Sequence, residues 1–230
     1  MRLLPTILMA LVCGTAHCDD ADHPPDIVAV LDRSQQLRLD AMPLADAATQ
    51  RAQRVRDTFD TLAHRLPALP PVELRIVRGA TVAETLHGHV VVANEALGDL
   101  PESERLFILA HELGHVMLDH WSHMRLLYQK WVPGPVTQQR TDAVAAELGR
   151  EGSALAYRQE FEADAFGLRT VRPLGVSEQE VVAAFMDLGV YSDTATHPGT
   201  RKRVAALRSM APDRIQAAAP NPSGSPTGLP

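Results

Sequence analysis

The string "AHELGHVMLDH", residues 110–120, sets two histidines four residues apart with a glutamate directly after the first. On a helix, residues four apart lie about 40° apart around the axis, so His111 and His115 point the same way. Their imidazoles can close on one metal ion. Glu112, about 100° round from His111, is placed to reach a water on that metal instead of the metal itself. Leu106, Ile108, Leu109, Ala110 and Leu113 make the segment a mostly buried helix. Two histidines and a carboxylate are costly there without a partner.

A catalytic zinc takes three protein ligands and keeps one position open. His120 comes five residues after His115 and points elsewhere on a continuous helix, so it reads as a helix-face histidine, and His123 has no better claim. The long metzincin pattern would need glycine and histidine where Leu118 and Trp121 stand. The stretch "QEFEADAFG", residues 159–167, offers more. Glu160 and Asp164 are four apart on one helical face. A helix packed across the first one could bring Glu160 to the metal, while Asp164 accepts the N–H of a ligating histidine. Glu162 is the rival ligand; it sits about 200° from Glu160, so only one of the two can face the metal. A third element, "THPGTRKRVAAL" at 196–207, places His197 before a proline at a helix start.

These groups need elements to hold them. Residues 26–66 read as helical, with Ile27, Val30, Leu31 and Leu37, then Val55, Phe59, Leu62 and Leu66, at three- and four-residue spacing. "LPALPP" ends that stretch. Val72, Leu74 and Ile76 alternate with Glu73 and Arg75, as in a half-buried strand, and 89–93 reads as another strand entered through Gly88. Asp99 and Glu102 form a capping-box pattern that opens a helix predicted to run through the histidines to residue 131, before Pro133-Gly134-Pro135. A third long helix is predicted over about 137–170, divided near Gly149 and Gly152. Ser177 and Glu180 cap a helix through Leu188, and a last helix starts near Pro198 and ends before Pro212.

The chain has 230 residues, 45% apolar and 22% charged, which suits one domain at 26–211. Its net charge is −6 with no basic stripe, so nucleic acid is not an expected partner. Met1-Arg2, an apolar run to Val12 and Gly14-Thr15-Ala16 read as an export leader over 1–16. A polar linker covers 17–25, and "APNPSGSPTGLP" gives 212–230 the composition of a disordered tail. A periplasmic or secreted location follows, with membrane attachment only if Cys18 carries lipid. The two cysteines, Cys13 and Cys18, both precede the expected domain, so thiolates do not hold the metal.

"HELGH", "EFEAD" and "THPGTRKR", in that order, resemble the zinc metallopeptidase family that contains HtpX, BepA and the CAAX prenyl proteases. The resemblance covers roughly half the chain, and "TVAETLHGHV" lacks the asparagine usual in the family's preceding strand. It implies a mainly helical α+β fold: a zincin-like (gluzincin) domain with a small sheet and an active-site helix. It makes His111, His115 and Glu160 the ligands of one Zn2+, Glu112 the general base and acid, and Asp164 a group behind the ligands. His197 becomes a histidine beside the metal or the oxyanion, and Arg203 the basic residue that closes the motif. The expected activity is hydrolysis of peptide bonds in unfolded or misassembled envelope proteins, with the strand at 89–93 adding an extended peptide to the sheet edge. The competing readings are a regulatory zincin that cleaves a repressor, a client-binding assembly factor with secondary proteolysis, and a zinc-stabilised structural protein.

Overall fold

The computed structural model describes residues 24–189 and 191–210. The expected leader, Cys13, Cys18 and the expected tail lie outside the described residues. The helical stretch at 26–66 is two helices, α1 (Ile27–Asp40) and α2 (Gln50–Arg65), separated by a loop that contains Pro43. Each begins on a side-chain cap: Asp26 accepts from the Ala29 N–H at 2.8 Å and Thr49 from the Ala52 N–H at 3.2 Å.

Three short strands follow: β1 (Glu73–Val77), β2 (Ala83–Leu86) and β3 (Val90–Asn94). They form one sheet in the order β1-β3-β2, with β1 parallel and β2 antiparallel to β3. All five β3 residues are buried. Val91 and Ala93 enter the main core with Phe59, Leu62, Leu109 and Leu113, while Val90 and Val92 join Leu39, Val77 and Leu86 in a second cluster. The central place of β3 overturns the expectation that 89–93 offers an edge to a peptide. Its ladder groups are engaged on both sides, and the edge beside the histidine helix belongs to β2, a strand not expected from the sequence. The β2–β3 turn puts both His87 and Gly88 at positive φ. A Cβ on Gly88 would lie 2.9 Å from Cβ of Trp121, so glycine is required there twice over.

The histidine helix departs from expectation at both ends. Asp99 does not cap it: Asp99 closes a short 3₁₀ turn (Glu95–Asp99) and binds Arg51 Nε at 2.9 Å. α3 (Glu102–Met117) starts after Pro101 without a side-chain cap, and Glu102 and Glu104 in its first turn favour the positive end of the helix dipole. It also stops earlier. Asp119 adopts the left-handed conformation (φ 50°, ψ 42°), which aspartate tolerates better than most residues, and α4 (His120–Trp131) leaves in a new direction.

The predicted break at Gly149 and Gly152 is absent. α5 (Gln138–Val171) is one helix of 34 residues, capped by Thr137. Each glycine costs a helix about 1 kcal/mol relative to alanine, too little to interrupt a run supported on both sides. α6 (Glu178–Leu188) carries the expected Ser177–Glu180 capping box, and α7 (Thr200–Met210) is the last described helix.

α3 lies at the centre, between the sheet and α2 on one side and α5 and α6 on the other. It crosses α5 closely because Gly114 has no side chain: a Cβ there would meet Ala163 Cα at 3.1 Å. Gly167 does the same from α5, where a Cβ would meet the His111 backbone nitrogen at 3.3 Å. No helix among the described residues is long and apolar enough to cross a membrane.

Candidate active site

The close α3–α5 crossing brings Glu160 over the two histidines one turn apart on α3. His111 Nε2 and His115 Nε2 are 3.1 Å apart. Glu160 Oε2 is 3.7 Å from the first, and Oε1 is 3.5 Å from the second. A tetrahedral zinc with bonds of about 2.0–2.1 Å spaces its ligand atoms about 3.3 Å apart. The His111–His115–Glu160 set therefore fits such an ion. Glu160 Oε2 is also buried and accepts no aligned hydrogen bond among the described residues; the Arg203 guanidinium stands 3.3 Å from it as an ion-pair partner, which leaves the oxygen a lone pair for a metal ion.

The groups behind these three are charged and ordered. Asp164, 1% exposed, sets Oδ1 2.9 Å from His111 Nδ1, placed to accept its N–H. Arg203, from α7, donates to the same carboxylate through Nε at 2.8 Å and Nη2 at 2.5 Å, and its Nη1 lies 3.3 Å from Glu160 Oε2. The guanidinium rests over the Phe185 ring, 4.7 Å from the centroid. Burial alone would push Asp164 up; the bonds and charge of Arg203 outweigh it and hold the group below the usual carboxylate range. Burial, with the nearby His111, pulls His115 well below its ordinary value, so its imidazole is neutral and free to ligate.

Glu112 is buried and turned toward β2. Thr85 Oγ1 donates to Glu112 Oε2 at 2.8 Å and lies 3.0 Å from the Glu112 carbonyl oxygen. Burial pushes the Glu112 carboxyl up to about 7, against the opposing pull of His111 and of the Thr85 hydrogen bond. A carboxyl group poised near neutrality suits a residue that both takes and returns a proton.

The remaining candidates separate clearly. His197 Nε2 is 3.6 Å from Glu160 Oε1, but the side chain is 51% exposed, so it stands at the rim of the site. Glu162 is not brought to the cluster: its carboxylate is half exposed and lies 3.3 Å from His120 Nε2. His123 is exposed. His120 departs from its reading as a helix-face residue. The left-handed turn at Asp119 swings it inward, where it is 3% exposed with Nδ1 2.9 Å from His115 Nδ1. Burial holds it down at about 4. Gln159 Nε2 donates to the His120 carbonyl oxygen at 2.9 Å.

Thr85, Gln159 and the role of His120 escaped the sequence reading. Each contact joins residues on different elements, or depends on one unforeseen backbone turn, and no spacing rule encodes it. The site opens into a cleft of 390 Å³ walled by Ala83, Leu86, Trp121, Met124 and His197.

No match to a curated protein was found. A His-His-Glu cluster suited to a metal, with a buried glutamate beside it, is an arrangement fit for metal-assisted hydrolysis. Over residues 50–211, most of its length, the sequence matches the model of peptidase family M48, and the chain belongs to that family of metallopeptidases, with its mainly helical zincin-like fold.

Proposed function

We propose that the protein is a zinc-dependent endopeptidase of the cell envelope that hydrolyses peptide bonds in unfolded or misassembled proteins. The observation that carries this reading is the spacing of His111, His115 and Glu160, which suits one ion and leaves the cleft side open. Zinc held by these residues would supply Lewis acidity, lowering the pKa of water and polarising a carbonyl.

The chain's own residues do the rest. Glu112 takes the proton of the attacking water and returns it to the leaving amine. Asp164 fixes the His111 ring by taking its N–H, and Arg203 fixes Asp164. His197 stands where a donor would meet the developing oxyanion. The edge of β2 at Ala83–Leu86 runs along the cleft and accepts an extended peptide as a fourth strand. A folded domain cannot lend such a strand, which favours unfolded segments as substrates. The envelope location rests on the leader-like residues 1–16.

Replacing Glu112 by Gln should leave zinc bound and lower casein digestion by at least about 100-fold. Metal analysis and a digestion assay, with and without chelator, test both parts. A Gln variant that digests unfolded protein at the wild-type rate would exclude this mechanism.

A further inference from the structure

We propose that His120 is a positioning residue for the metal site, holding His115 through a relay of ring nitrogens that ends on Glu162. The inference rests on the zinc reading above and deepens it. His115 turns Nε2 toward His111 and Glu160, at 3.1 and 3.5 Å. To offer that lone pair to a cation, a neutral imidazole must carry its hydrogen on Nδ1. The His115 Nδ1 lies 2.9 Å from His120 Nδ1, which must then be an acceptor. The hydrogen of His120 is left on Nε2, 3.3 Å from Glu162 Oε2. That last contact is within ion-pair distance but poorly aligned for a regular hydrogen bond, and it is the weakest link. Each hydrogen position forces the next.

The surroundings hold the relay in place. The left-handed Asp119 aims His120 inward, and Gln159 grips its carbonyl oxygen at 2.9 Å. The His120 side chain is 4% exposed, whereas Glu162 reaches solvent at 51%. A buried imidazole with one nitrogen on a ligand and the other aimed at a carboxylate is costly unless both are used. The two histidine ligands are thus supported differently: His111 leans directly on Asp164, His115 on a carboxylate one ring further out.

The test uses the zinc-loaded full chain and three variants, His120→Phe, His120→Gln and Glu162→Gln. Phe keeps the ring volume and removes the acceptor; the Gln amide oxygen can still accept the His115 N–H. Zinc affinity is read by competition with a fluorescent chelator, and the His115 Nδ1–H proton by nitrogen-15 NMR. His120→Phe should weaken zinc binding by about 10- to 100-fold and expose the His115 proton to rapid exchange. His120→Gln should stay within about threefold of wild type and keep that proton protected, and Glu162→Gln should fall between the two. Wild-type affinity in His120→Phe, or a Gln variant as weak as Phe, would overturn the relay while leaving the zinc reading intact. If the Phe variant does not fold, His120→Leu, which also removes the acceptor, takes its place under the same criteria. A wild-type chain that binds no zinc would overturn both readings.

Discussion

Asp164 and Glu104 are both buried carboxyl groups, and the fold treats them in opposite ways. Asp164 has Arg203 beside it and stays ionised. Glu104, in the first turn of α3, forms no ion pair with a cation among the described residues: burial and the nearby Asp187 and Glu180 push it up to about 7. The folded chain therefore keeps the Glu104 proton to a higher pH than the unfolded chain does. Its contribution to stability is fully present below the unfolded value near 4.5 and is lost as pH rises through about 7. Glu104→Gln, which cannot ionise, should flatten that decline. Urea midpoints at about pH 5 and pH 8 check it: wild type should lose stability between the two from this group, and the variant should lose less. At this scale the site was partly legible in the chain itself. His111, Glu112 and His115 share a helix, so spacing alone places them. Asp164 follows from its distance to Glu160. His120 could not be read, because its direction depends on one left-handed residue that nothing in "VMLDHW" announces.

The crossing of α3 and α5 decides whether the three proposed ligands meet. Gly114 lies within the "HELGH" string, and its missing side chain lets the backbone of Ala163 approach. Gly114→Val should force the helices apart, cost about 1–3 kcal/mol and weaken zinc binding more than tenfold, since Glu160 rides on α5. Thermal denaturation and chelator competition measure the two effects. Gly149→Ala is the control: its Cβ meets nothing, so the variant should be slightly more stable and bind zinc as before. Elements built on strong periodicity were legible, and so was the Ser177 capping box. Three features were not. The α3–α4 break has no proline or glycine to mark it. The glycines of α5 mark a break that tertiary support overrides. β2 is four residues, "AETL", without the β-branched alternation that identifies a strand.

Over the whole molecule, the family match begins at residue 50, whereas the structure places α1 before it and against the cleft. Gln35 of α1 accepts the His87 N–H at 2.5 Å, and Arg38 pairs with Glu84 at 2.9 Å, so α1 braces the end of β2. The same short strand holds Glu112 through Thr85. Glu112, the proposed proton-transfer group, and the proposed docking edge are thus tied together by side-chain hydrogen bonds. In the proposed mechanism, a peptide that grips β2 far from the scissile bond would use that grip to align the bond with Glu112, and its binding energy would appear as rate. Peptides trimmed stepwise at their distal end should therefore lose kcat as well as gain KM. A nested series with constant kcat would show that grip and chemistry are independent.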